Sequence, residues 1–181
     1  MIRKMNIGII GLGVGKHHFD CFSDNKYCNI VSVCDFNLSK LKKIKLKNTN
    51  IEITTKEDKI INNPNIDLVC IASYDNHHAK QVINSIKNNK HVFVEKPICT
   101  NFSEYKKIKS ELKKKPHLKI ASNLVLRTSP QFLKLSNMIK NRKFGKIYMI
   151  SGEYNYGRLS KITNGWRGKL KNYSVTHGGA I

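Results

Sequence analysis

The chain has 181 residues, with 33 Lys and Arg against 12 Asp and Glu, a formal net charge of +21. That length holds one domain and part of a second, and 40% hydrophobic with 25% charged residues marks a folded, globular chain. All but five of the basic residues are Lys, spread along a chain rich in Asn and Ile, which reads as a global compositional bias and not as a nucleic-acid footprint.

The first element is an apolar run, Met5 to Ile10, that ends in glycines at alternate positions, Gly11, Gly13 and Gly15. A helix-compatible stretch follows from Lys16. Strand, tight turn and helix N-terminus in this order form the expected cradle for a dinucleotide pyrophosphate. Gly11 supplies a positive φ, Gly13 lets the backbone approach phosphate, Val14 belongs to the same cofactor-binding turn, and the free N–H groups at the start of the following helix face the anion. The spacing departs from G-x-G-x-x-G, since position 16 is Lys and the third glycine comes one residue early. A plain tight turn between strand and helix is the alternative.

Residues 29–35, N-I-V-S-V-C-D, read as a second buried strand ending in Asp35, 22 positions after Gly13. A ribose-binding carboxylate is expected about 20 residues on. Asp35 also fits as a cap for the helix beginning near Asn37, and the two roles are compatible. No Arg occurs between Arg3 and Arg127, so a guanidinium for a 2′-phosphate is missing here and NAD is favoured over NADP. The stretch Lys40 to Lys47 carries Leu41 and Ile44 at helical spacing with Leu38, a solvated helix with one apolar stripe. Without aromatics among its lysines it is not expected to bind nucleic acid.

A short strand is expected at Ile51 to Thr54, then a weak helix, Lys56 to Asn62, closed by Asn63-Pro64. The continuous apolar run Asp67 to Ala72 is written like a parallel strand buried on both faces. Its carboxyl end leads into Ser73-Tyr74-Asp75-Asn76-His77-His78, which should line the same crevice as the glycine turn. Helix Ala79 to Asn89, strand His91 to Val94, the turn Glu95-Lys96-Pro97, helix Ser103 to Lys114 and strand Leu118 to Ser122 complete the alternation. The expected fold is α/β, a Rossmann-type doubly wound parallel sheet over residues 1–126. Residues 127–181 read as the beginning of an α+β second domain, with a helix from Pro130, an alternating strand Lys146 to Tyr156, and a glycine-rich tail.

Cys21, Cys28, Cys34, Cys70 and Cys99 show no C-x-x-C and no Cys/His pairing, so neither a metal site nor a disulfide framework is indicated. No apolar run reaches the roughly 18 residues of a membrane span. The N-terminus lacks the pattern of a signal peptide, and a cytoplasmic location is the expectation.

Four stretches, the glycine turn, S-Y-D-N-H-H-A (73–79), E-K-P (95–97) and R-T-S-P (127–130), occur together in the order and spacing of one family. The chain resembles the N-terminal half of the Gfo/Idh/MocA oxidoreductases, related to glucose–fructose oxidoreductase and inositol dehydrogenase. The resemblance implies that Gly11, Gly13 and Gly15 form a shortened phosphate loop, with His18 where the family commonly has a histidine. It places Ala72, Ser73, Asp75 and His78 in a T-P-N-x-x-H turn, with Tyr74 in place of Pro, and implies that His78 orients the turn or contacts the cofactor. Glu95, Lys96 and Pro97 match E-K-P, with Lys96 beside nicotinamide and substrate, holding a hydroxyl and relaying its proton. Glu95 pairs with Lys96 or touches the nicotinamide ribose. The Lys96–Pro97 bond is expected to be cis.

Trp166-Arg167 and Gly178-Gly179 resemble the approach to the family's glycine pair, after which a catalytic Asp and His follow. The register of His177 does not match that histidine. The implied function is hydride transfer between nicotinamide and a sugar, cyclitol or sugar nucleotide, with homo-oligomers formed through a complete second-domain sheet. The alternative is a chain that binds NAD without catalysis. The 181 residues alone are expected to bind NADH, to self-associate and not to turn over a sugar.

Overall fold

The computed structural model describes residues 3–155, 157, 160 and 163–169. The chain divides into two compact units, Met1–Asn123 and Leu124–Ile181. In the first, β1 (Met5–Ile10), α1 (Gly15–Ser23), β2 (Cys28–Cys34), α2 (Leu38–Lys47), β3 (Glu52–Thr54), α3 (Asp58–Ile61), β4 (Leu68–Ile71), α4 (Asp75–Lys87), β5 (His91–Val94), α5 (Phe102–Lys113) and β6 (Ile120–Ser122) alternate without a break. All strand pairs are parallel, in the order β3-β2-β1-β4-β5-β6. The chain starts at the sheet centre, runs outward through β2 and β3, then returns across β1 to place β4. Ligands of such sheets sit beyond the carboxyl ends of the strands where the order reverses, here β1 and β4.

The period-2 alternation of β1 sends its side chains into two separate cores. Ile7 and Ile9 pack with Phe19 of α1 and with Leu41 and Ile44 of α2. Ile10 packs on the opposite face with Ile60 of α3, Val82 and Ile86 of α4, and Ile108 of α5. Two helices therefore cover one face and three the other, which is why the central strand β4 is apolar on both faces.

Several elements start or pack differently from the sequence expectation. In α2, Leu41 and Ile44 are buried, but Leu38 at the first helical position is exposed, so the stripe is two residues long. Helix α4 begins at Asp75, four residues before the apolar periodicity, because Tyr74 adopts the extended backbone of an N-cap and the polar run 75–78 fills the first turn. Asn101 caps α5 by accepting from the Glu104 N–H. Glu104 returns the contact by accepting from the Thr100 N–H.

The second unit holds a 3₁₀ turn, Val125–Thr128, helix α6 (Pro130–Lys140) and a 3₁₀ turn, Trp166–Lys169. Pro130 opens α6, where its missing N–H costs nothing. The strand expected over 146–156 is corrected by the structure: residues 146–155 carry no strand, and Tyr148, Met149 and Ile150 are exposed. Alternating side chains define a strand only where a neighbouring strand takes up the backbone N–H and C=O groups, and none is paired here among the described residues. Tyr156, His177 and Gly178-Gly179 lie outside the described residues. Among the described residues, no helix is long and apolar enough to cross a membrane.

Candidate functional site

The glycine turn follows β1. Gly11 has φ +91°, donates its N–H to the Cys34 carbonyl at 2.7 Å, and leaves no space for a side chain. A Cβ there would lie 2.4 Å from the Ala72 carbonyl oxygen. Gly15 opens α1, and its Cβ would stand 3.0 Å from that of Ala72. Close packing of helix on strand is the task of the third glycine in the longer motif, and here Gly15 performs it one residue early. Lys16, at the position the motif gives to glycine, turns outward to an ion pair with Asp20. A Cβ on Gly13 would meet nothing within 4 Å, and Val14, the N-cap of α1, offers no side-chain acceptor to the first turn.

Asp35 sits at the exit of β2 with 4% of its surface exposed. Its Oδ2 accepts the Leu12 N–H at 2.6 Å and its Oδ1 the Asn37 N–H at 2.7 Å, so the carboxylate ties the glycine turn to the start of α2. The cap of α2 is Asn37, which accepts from the Ser39 and Lys40 N–H groups. The capping role left open for Asp35 therefore belongs to its neighbour. A carboxylate offers about four lone-pair directions, so two remain for hydroxyl donors. The Lys40 ammonium stands 3.9 Å from Oδ2. Beneath Asp35, the Cys34 thiol is pushed up to about 12 by burial, then by Glu57 and Asp35, and remains a small hydrophobe.

Beyond β4, the Ser73 hydroxyl donates to Gln81 Oε1 at 2.6 Å, and Gln81 Nε2 donates to Glu57 Oε2 at 2.5 Å. Asp75 is buried in the first turn of α4. His78 is fully buried, with Nδ1 2.7 Å from the Pro97 carbonyl oxygen and Nε2 3.2 Å from that of Ser73. Both ring nitrogens face carbonyl acceptors, so His78 straps the Ser73 turn to the Glu95–Pro97 turn. The Lys96–Pro97 bond is cis.

Glu95 lies at the end of β5. Its Oε1 stands 2.7 Å from His18 Nε2 and accepts from Asn123 Nδ2 at 2.7 Å, and its Oε2 accepts the Lys96 N–H at 3.3 Å. Burial would raise this carboxyl, but the hydrogen bonds and the charge of His18 outweigh it, so Glu95 lies below the ordinary carboxylate range. His18 is itself held edge-on to the Phe93 ring, 5.1 Å between centroids. Lys96 is half-buried beside this group.

A cleft of about 490 Å³ opens at the carboxyl ends of β1, β2 and β4. Of the residues singled out from the sequence, Gly11, Gly13, Asp35, Ala72, Ser73, Tyr74 and His77 line it. Val14, Gly15, Asp75, His78, Glu95, Lys96 and Pro97 do not, and the last three form a separate turn joined to the cleft through His78 and His18. Sequence reasoning missed Phe36, Lys40, Glu57 and Gln81, which also line it, and Asn123, which holds Glu95. Phe36 and Lys40 had a signal in their closeness to Asp35. Glu57, Gln81 and Asn123 had none, because they reach the site only through the order of the strands.

Residues 5–122 match the sequence profile of the Gfo/Idh/MocA family, an oxidoreductase family with an NAD-binding Rossmann fold. Among curated relatives, the chain is 30% identical over 148 residues to a myo-inositol 2-dehydrogenase of Thermotoga maritima, covering 81% of this chain and 44% of the relative. An inositol 2-dehydrogenase of Azotobacter vinelandii is 32% identical over 108 residues, covering 58% and 32%. The fold superimposes on a scyllo-inositol dehydrogenase of Lactobacillus casei, solved with bound NAD(H) and scyllo-inositol, with TM-score 0.75 and 24% identity over 80% of this chain and 43% of that one. A probable dehydrogenase of Thermotoga maritima gives TM-score 0.72 at 29% identity, covering 78% and 42%. The chain thus spans less than half the length of these relatives.

Proposed function

Because the chain belongs to the Gfo/Idh/MocA oxidoreductases, with their NAD-binding Rossmann fold, we propose that it forms the nucleotide-binding part of an NAD-dependent dehydrogenase acting on a cyclitol or related sugar hydroxyl. The observation that carries this reading is the cleft itself: an open glycine turn and a buried carboxylate in one lining, and a size in the range of small-ligand sites. The residues fit the dinucleotide. The turn from Gly11 to Gly15 would hold the pyrophosphate, and the two unused lone-pair directions of Asp35 the ribose hydroxyls. When bound, nicotinamide accepts or returns the hydride of the carbinol carbon.

The chain's own groups then have three tasks. Asp35 binds ribose and disfavours a 2′-phosphate, because a second negative charge would meet a carboxylate almost wholly removed from water. Lys40 offsets part of that repulsion without cancelling it. His18 and Asn123 keep Glu95 ionised and oriented, and Glu95 fixes the turn that carries Lys96. Lys96 would hold the substrate hydroxyl and, with its amine in the neutral form, would accept the hydroxyl proton.

Titration calorimetry with NADH and NADPH tests the reading. NADH binds more tightly, and Asp35→Ala weakens NADH by roughly tenfold or more, the worth of a charged hydrogen bond. Equal affinity for the two cofactors would remove the preference, and no binding of either would remove the function.

A further inference from the structure

Lysine is so abundant in this chain that a basic surface carries information only where something besides lysine comes with it. Helix α5 is such a place. Ile108 is buried and Leu112 packs against the same core, so one side of the helix holds it to the sheet. Phe102, Lys106, Lys109 and Lys113 follow at i, i+4, i+7 and i+11, which gathers them on another side in a stripe about 16 Å long. All four are exposed, and none of them lines the cleft.

Phe102 is 67% exposed and stacks on Tyr105, itself 44% exposed, with centroids 5.7 Å apart and planes inclined by 20°. The Lys106 ammonium stands 4.7 Å from the centre of the Phe102 ring, and that of Lys109 5.7 Å from the centre of the Tyr105 ring. The carboxylates of the same helix are engaged elsewhere: Glu104 accepts from Thr100 in the cap, and Glu111 pairs with Lys114. Among the described residues, no ion pair engages Lys106, Lys109 or Lys113. Helix α2 differs on each count. It has no aromatic residue, its Lys40 faces Asp35, and its Lys45 donates to the Thr49 and Ile51 carbonyls.

We infer that this face of α5 binds single-stranded nucleic acid, its three lysines following the phosphates while the Phe102–Tyr105 pair forms a platform on which a base stacks. Phosphate supplies the negative charge that the stripe lacks. Every base has a face to lay on a ring, so the contact tolerates sequence. A duplex hides those faces and meets the lysines alone. An anionic membrane surface would also satisfy the lysines, but a helix that lies in such a surface needs a whole apolar face. Here Ser103, Lys107 and Ser110 flank the stripe.

The test uses the 181-residue chain and the fluorescence anisotropy of a short labelled oligouridylate. Two variants of equal net charge are compared, Lys106→Gln with Lys109→Gln and Lys113→Gln on α5, and Lys42→Gln with Lys43→Gln and Lys47→Gln on α2, whose lysines are likewise exposed. The α5 variant should weaken binding about tenfold or more, and flatten the slope of log affinity against log salt by about two, the share of three phosphate contacts. The α2 variant should leave binding nearly unchanged. Phe102→Ala should weaken it about fivefold or more, with the salt slope and thermal unfolding unaltered because the ring is exposed. Equal losses in the two lysine variants would assign the binding to net charge and overturn the inference. A duplex bound as tightly as the single strand, or unchanged affinity in Phe102→Ala, would overturn it by removing the platform. Binding to phosphatidylserine–phosphatidylcholine vesicles without binding to the oligonucleotide would give the face to a membrane surface instead, and no binding of the oligonucleotide by the unmutated chain would end the proposal.

Discussion

Gly11 and Gly13 are two positions apart and look alike in sequence, yet their surroundings differ. Gly11 combines φ +91° with a backbone oxygen 2.4 Å from where a Cβ would sit, while Gly13 faces open space. Gly11→Ala should cost about 1–3 kcal/mol from backbone strain alone, lowering the melting temperature by several degrees or more. Gly13→Ala should leave melting unchanged and weaken NADH binding. Thermal unfolding and calorimetry on the two variants separate these effects, and equal melting temperatures would contradict the geometry. The buried thiols give a second contrast. Burial raises both Cys34 and Cys70 well above the ordinary thiol range, whereas Cys21 is exposed. A thiol reagent at neutral pH should modify Cys21 quickly and leave Cys34 and Cys70 unmodified until the chain unfolds, as mass spectrometry of the labelled protein would show.

At the level of elements, β5 and α1 meet through Glu95 and His18. The Glu95 carboxyl lies below its unfolded value, so the stability it contributes is present above the ordinary glutamate pKa of about 4.3. It is lost as pH falls through the lowered folded value. His18→Ala should cost roughly 1.5–3 kcal/mol at neutral pH and make the acid limb of a stability profile shallower. Urea unfolding between pH 3 and 7 measures both, and an unchanged slope would remove His18 from the pair. Such pairings mark where the sequence was legible and where it was not. The sheet was readable because the central strands are mostly apolar and the helices carry their own spacing, as with Val82 and Ile86 in α4. Asp35 and Glu95 were readable because each ends such a strand. The start of α4 was not, since Asp75 to His78 are polar and their helical turn is set by Tyr74 outside it. The partners of Glu95 were not, since His18 and Asn123 are 77 and 28 residues away. Residues 146–155 misled because alternation records a preference for a partner strand, not its presence.

Taken as a molecule, the two units are unequal. The first has two cores, while α6 in the second exposes Phe132, Leu133, Leu135 and Ile139, and Tyr148, Met149 and Ile150 are exposed after it. Exposed apolar side chains in such number favour association. The 181-residue chain should form oligomers at micromolar concentration, which light scattering coupled to gel filtration would detect. Replacing Leu133 and Ile139 by Lys should shift it toward monomer without altering NADH binding. The cleft depends on none of this surface. Every residue lining it falls between positions 10 and 81, one unbroken stretch that ends before β5 begins. Because a chain leaves the ribosome from its N-terminus, the walls of the cleft are all synthesised before the lysine turn exists. Under the proposed function, birth order thus matches chemical order: the part that would hold the cofactor is made first, and the part that would handle the proton is added to it.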